Sequence, residues 1–259
     1  MPIALTALLG LVVLATLLSA VWFRQLFTKN AGMVDPVWSI SLGLMGPLYA
    51  WLGDGDMASR VLLTVVSLVW GLRLGLHLYL RNAGEPEDPR YRKLREQWGE
   101  AADSRMFWFF QAQAVIALVL STGFLAVAYR RGMPPPWAVL AGVFIWAISI
   151  AGEAVADWQL KRFKAEPANA GKTCQSGLWR YTRHPNYFFE CTFWLTFPLL
   201  AWGDVGALWA LVSPVVMALL LMKLSGVPLA EAQAEKSRAD YADYKRRTSA
   251  LIPWPPKTR

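Results

Sequence analysis

Gly177–Glu190, GLWRYTRHPNYFFE, holds the densest chemistry in the chain. It sets Arg180, Arg183 and His184 beside Trp179, Tyr181, Asn186 and Tyr187, with Pro185 between them and an apolar run directly after. Arginine offers a planar, permanently charged fork suited to phosphates. Asparagine and tyrosine add hydrogen bonds, and the tryptophan and tyrosine rings offer faces on which a flat heterocycle can lie. Such a knot at the mouth of a membrane segment is costly unless its groups are paired or meet a ligand. The competing explanation is an aromatic and basic belt that contacts lipid headgroups alone.

Two further patterns belong with it. Trp70, Arg73, His77 and Arg81 follow one another by steps of 3, 4 and 4 and so share one helical face. A central arginine in a bilayer costs roughly 2.5–3.5 kcal/mol, so Arg73 is expected to face the bundle interior with a partner. Glu153, Asp157 and Lys161 form a second single-faced row, whose carboxylates can accept hydrogen bonds from ribose hydroxyls or pair with arginines. Asp35-Pro36 reads as a helix start, with Asp35 either capping it or presenting a carboxyl group to an interior cavity.

The elements that must position these groups are membrane helices. Of 259 residues, 55% are hydrophobic and 14 are tryptophan, and several apolar runs approach the roughly 20 residues that a bilayer demands. Seven spans are predicted, near 3–23, 34–52, 59–80, 107–129, 136–160, 188–203 and 206–224. The fold class is therefore all-α, an integral membrane bundle of about seven transmembrane helices. It reads as one membrane-embedded domain over residues 1–259.

Seven spans put the chain ends on opposite sides. Of the 26 lysines and arginines, only Arg60, Arg130 and Arg131 lie on one side and Arg73 within a span. The rest fall in the loops and tail of the other side, which the positive-inside rule makes cytoplasmic, C-terminus included. The net charge of +8 is thus a topology signal and a basic collar for an anionic cofactor, with no nucleic acid implied. Cys174 and Cys191 are too few for a disulfide framework, and with His77 and His184 as the only histidines no metal site is expected. With no GxGxxG, a nucleotide here is not held by a Rossmann turn. Dinucleotides and S-adenosylmethionine both suit the polar lining, with an apolar substrate entering from the bilayer.

Lys172–Glu190, KTCQSGLWRYTRHPNYFFE, together with the tail SRADYADYKRRTSALIPW, resembles the steroid 5α-reductase superfamily. The likeness covers about residues 107–259 well and Arg73–Asn82 weakly. The Arg-His-Pro-Asn-Tyr core is similar to that of sterol C14 and C7 reductases. A looser form occurs in isoprenylcysteine carboxyl methyltransferases and phospholipid methyltransferases. The resemblance implies a seven-helix reductase of the bacterial inner membrane that uses NADPH on a C=C bond conjugated to a ketone, in an apolar, steroid-like substrate. It implies cofactor contacts at Arg73, Asn82, Glu153 and Asp157, and a signature at Trp179, Arg183, His184, Asn186, Tyr187 and Glu190. Tyr241 and Tyr244 match tail aromatics near the adenosine end. His77, on the Arg73 face, and Lys172, heading the matched segment, complete the expected cofactor set.

Asp35 and Trp70 match the positions that polarise the substrate ketone, but an indole N–H stands where the family has a tyrosine, and an indole cannot deliver a proton. For Asp35 to donate it must be protonated, as burial in an apolar cavity favours. Two other functions compete: an S-adenosylmethionine-dependent methyltransferase of lipid or prenylcysteine, and a non-catalytic sterol- or lipid-binding protein. Against the first, that family usually has an Arg-Glu-Glu cluster after the last helices, whereas Glu231 and Glu235 stand apart here with no such cluster. Membrane lipids are expected partners, and no obligate protein partner is evident.

Overall fold

Inside a bilayer each backbone N–H and C=O must find its partner within the segment, so long apolar runs fold as helices. The computed structural model describes residues 1–257. Its helices are α1 (Ile3–Thr28), α2 (Val34–Leu52), α3 (Met57–Asn82), α4 (Pro89–Trp98), α5 (Ala102–Leu120), α6 (Thr122–Ala128) and α7 (Pro136–Ala165). There follow α8 (Pro185–Trp194), α9 (Thr196–Leu200), α10 (Gly206–Ala210), α11 (Val212–Leu219), α12 (Val227–Ser237) and α13 (Tyr241–Arg247). A π-helical turn, Leu220–Leu224, joins α11 to the connection before α12. Among the described residues the only β-type pairing is an isolated parallel bridge between Thr182 and Ser249.

Five helical stretches are long and apolar enough to cross a membrane: Ile3–Thr28, Met57–Asn82, Pro89–Ala128, Pro136–Ala165 and Gly206–Ser237. This supports an all-helical membrane protein, with five candidate spans among the described residues where seven were expected. The expected span at 188–203 breaks at Leu195 into α8 and α9. The other, α2, carries Asp35, two serines and an internal Pro47, and is not among the five.

The chain forms two compact units. The first takes Met1–Pro135 and Leu200–Val212. Its centre is the antiparallel pair α2 and α3, which meet on a stripe of small residues. A Cβ placed on Gly71 would stand 2.6 Å from the Gly43 Cα and 2.9 Å from the Ser39 carbonyl oxygen, so glycine alone permits this approach. Around the pair, Leu14, Leu18, Leu42, Tyr49, Phe110 and Phe124 are fully buried.

The second unit takes Pro136–Leu199 and the residues from Ser213 on. Here α7 packs on α8, with the Phe189 ring seated against Gly152. The loop between them turns through Gly177 at φ 59°, a left-handed conformation that lets the Gln159 side chain close over it.

Candidate functional site

In the second unit the Lys172–Glu190 segment folds down onto the Glu153–Asp157–Lys161 row predicted on α7. The Leu178 amide donates to Gln159 Oε1 at 2.9 Å, and Trp179 Nε1 donates to the Ala156 carbonyl at 3.0 Å. Asn186 Nδ2 approaches Asp157 Oδ1 at 3.5 Å. Leu178 and two residues of the signature, Trp179 and Asn186, are thereby placed within a single turn of α7, at Gln159, Ala156 and Asp157. Glu153 lies a turn earlier and is buried.

Arg183 and His184 turn the other way and meet Glu231 of α12, a residue that the sequence reading did not select. Arg183 Nε donates to Glu231 Oε1 at 2.7 Å, and His184 Nε2 lies 3.4 Å from the same oxygen. Lys245 of α13 reaches Glu231 Oε2 at 2.8 Å and Glu235 Oε1 at 2.7 Å. These hydrogen bonds hold the Lys245 ammonium above its ordinary range, Glu231 first and Glu235 second. The other edge of the Arg183 guanidinium donates to the carbonyls of Lys245 and Thr248, which closes the C-terminal end of α13. The Glu231 carboxylate is thus shared by three basic groups from two chain segments. The expectation that Glu231 and Glu235 stand apart is corrected: Lys245, far off in sequence, bridges them.

The fold draws the tail aromatics inward as well. Tyr244 donates to the carbonyls of Trp179 and Thr182, and Tyr241 packs against it with Ala234. Burial pushes the Tyr241 phenol up to about 12 and raises that of Tyr244 further. Both rings therefore serve as neutral braces. At the sequence ends of this site, the Glu190 carboxylate accepts from Trp194 Nε1 at 2.8 Å, and Lys172 is exposed.

His184 precedes α8 and stacks on Tyr187, ring centroids 5.1 Å apart and planes 5° from parallel. It is 6% exposed. Burial, aided by Arg183, outweighs the pull of Glu231 and pushes its imidazole down to about 4. Because that lies below the ordinary value near ~6.5, the unfolded chain takes up the proton first on acidification. Stability from this group is complete above about pH 6.5 and is lost as pH falls towards the folded value. The loss between about pH 7 and about pH 5 is on the order of 2 kcal/mol. Thermal denaturation at the two pH values checks this, and His184→Gln is expected to flatten the dependence.

The first unit gathers its own polar cluster where α1 and α3 end and α2, α4 and α5 begin. Asp35 lies in the first turn of α2 but caps nothing. Its carboxylate accepts from Arg90 Nη2 at 2.6 Å and from the Tyr91 hydroxyl at 2.5 Å. The carboxylate expected to donate to a substrate ketone is here the acceptor of two donors from α4. Asp88 caps α4 through the Arg90 amide and also pairs with the Arg90 guanidinium at 3.0 Å. Arg95 binds Gln25, Glu87 and Asp103 at 2.8, 3.0 and 3.2 Å, and Asn82 Nδ2 donates to the Gly32 carbonyl at 2.9 Å. A groove of about 340 Å³ opens there, lined by Asn30, Gly32, Asn82, Glu87, Asp88 and Arg92 among others.

Trp70 is buried, Arg73 and His77 half-buried and Arg81 exposed, a steady gradient along the predicted face. Gly71 meets Gly43 while Gly75 meets Pro36 and Ile40, so Trp70 lies level with Gly43. Asp35 is eight residues from that level, about 12 Å along the helix. The structure therefore brings Tyr91, not Trp70, to Asp35. The sequence did carry a signal for α4, since Asp88-Pro89 is a cap followed by a first-turn proline.

A helical membrane protein whose His-Pro-Asn-Tyr loop is clasped between a carboxylate-bearing helix and a basic, aromatic tail is the class that fold and site define. The chain belongs to the family described as a protein of unknown function (DUF1295), which it matches over residues 21–248 and which lies within the steroid 5α-reductase-like superfamily. It is also 26% identical over 218 residues to an uncharacterised protein of Schizosaccharomyces pombe, covering 73% of this chain and 63% of that protein. The match thus spans less than two thirds of the length of that curated relative.

Proposed function

We propose that this protein is an NADPH-dependent reductase of an enone C=C bond in an apolar substrate, of which a 3-oxo-4-ene steroid going to its 5α-reduced product is the type. We place it in a bacterial inner membrane with its C-terminus in the cytoplasm. The observation that carries the reading is the docking of the signature loop on α7, where Trp179 bonds the Ala156 carbonyl and Asn186 reaches Asp157, more than 20 residues away in sequence. The donor set fits a dinucleotide in kind. Asp157 and Glu153 are carboxylates able to accept from ribose hydroxyls, and Asn186 can hold an amide. Arg183, by contrast, is spent on Glu231 and two carbonyls, so phosphate binding falls to other members of the basic collar such as Lys172.

When bound, NADPH supplies the hydride; the residues of this chain bind, orient and exclude water. In the first unit, the Tyr91 hydroxyl donates to the Asp35 carboxylate at 2.5 Å. Purified protein is expected to oxidise NADPH in the presence of 3-oxo-4-ene steroids or smaller enones. Asp157→Ala is expected to lower kcat/KM by about 10–100-fold, the worth of hydrogen bonds to a charged group. Undiminished turnover in that variant, or equal use of NADH, would count against the assignment.

One observation favours a second reading. Arg183, Glu231 and Glu235 gather around Lys245, which is the arginine and two-glutamate grouping that the methyltransferase alternative needs. Methyl transfer from S-adenosylmethionine to lipid, with no nucleotide oxidation, would establish it instead.

A further inference from the structure

Beyond that site, the last described segment of the tail stands out. Its backbone is tied down: the Arg183 amide donates to the Ser249 carbonyl at 2.9 Å, Thr182 Oγ1 to the Ala250 carbonyl at 3.1 Å, and the Trp254 amide to the Tyr181 carbonyl at 2.9 Å. The Lys257 amide bonds the Arg247 carbonyl at 3.0 Å. Pro253, Pro255 and Pro256 stiffen what lies between. Yet the large apolar side chains of this strap are turned out. Ile252 is 66% exposed and Trp254 is 70% exposed, beside Tyr181 at 43%. A few residues away, Tyr241 and Tyr244 are fully packed, so the unit had a core available and did not use these two for it.

The rim of the patch is cationic. Arg180 and Lys257 are exposed, as is Arg246, which pairs with Asp243. From Tyr241 to Lys257 the charged residues are Asp243 against Lys245, Arg246, Arg247 and Lys257. Tryptophan settles at the level of lipid headgroups, and lysine or arginine near an anionic surface gains about 1 kcal/mol each, roughly a fivefold change in partitioning. The rest of the chain already carries five membrane-crossing stretches, so a bilayer surface is always at hand.

We propose that Leu251–Lys257 is a docking strap for the bilayer interface, with Ile252 and Trp254 seated among headgroups and Arg180, Arg246 and Lys257 selecting anionic lipids. The test uses the full chain with Cys191→Ala, carrying Trp254→Cys or, in a second chain, Ile252→Cys, each modified with a nitroxide. A chain with Cys191→Ala alone reports any labelling of the buried Cys174. The proteins are placed in nanodiscs of phosphatidylcholine, alone or mixed with phosphatidylglycerol, and collisions with oxygen and with a water-soluble nickel chelate are compared. The expected result is a label reached by oxygen more than by nickel, the ratio rising with phosphatidylglycerol. That rise should fall roughly fivefold for each charge removed in Arg246→Gln and Lys257→Gln. Equal access by nickel in both lipids would overturn the proposal. So would protection from both reagents, which would mean that protein or another molecule covers the patch.

Discussion

Glu231→Ala is expected to destabilise the folded protein by about 3–5 kcal/mol, the cost of removing one partner from a buried charge cluster. The magnitude follows from what remains. Arg183 and Glu231 each have side chains 9% exposed, so the guanidinium would keep its charge without the carboxylate that balances it. His184 would lose its nearest acceptor, and Lys245 would retain only Glu235. Glu231→Gln is expected to cost less, because an amide oxygen still accepts from Arg183. Pairing Glu231→Leu with Arg183→Met should recover only part of the loss, because Arg183 also holds the carbonyls of Lys245 and Thr248. Melting temperature in detergent measures all three. A Glu231→Ala protein that melts with the unsubstituted one would remove the cluster from any account of how the signature loop is held.

Gly71→Val should act on the first unit with comparable force. Its Cβ would press on the Cα of Gly43 and the carbonyl of Ser39, both backbone atoms that no rotamer change can move aside. Overpacking of this kind costs about 1–3 kcal/mol where side chains can yield, and more where they cannot. The helices α2 and α3 must separate, which shifts Asp35 relative to Asn82 and α4. Gly71→Ala is expected to show the same effect in smaller measure, as the first methyl already falls within 3 Å of backbone. Melting temperature again reads the result, and an unchanged value for Gly71→Val would mean that the two helices are not held at this distance.

Several features were legible because they are local. Apolar length gives membrane helices, since a bilayer leaves the backbone no other partner, and the steps of three and four residues gave the faces on α3 and α7 correctly. The expected span at 188–203 is divided at Leu195 into α8 and α9, a break that hydropathy does not register. The tail tyrosines were matched by resemblance to cofactor contacts, but only packing shows that the Tyr244 hydroxyl is taken up by the Trp179 and Thr182 carbonyls while the Tyr241 ring is buried against Tyr244.

The sequence by itself determined that this chain is helical, membrane-bound and built around an Arg-His-Pro-Asn-Tyr segment, because helical period and burial of apolar length are properties of neighbours in the chain. Only the tertiary structure decided which charges meet. Glu231 lies 48 residues from Arg183, and Arg90 lies 55 from Asp35. An ion pair at such separation leaves no periodic trace, since its partners are brought together by helix packing and loop closure.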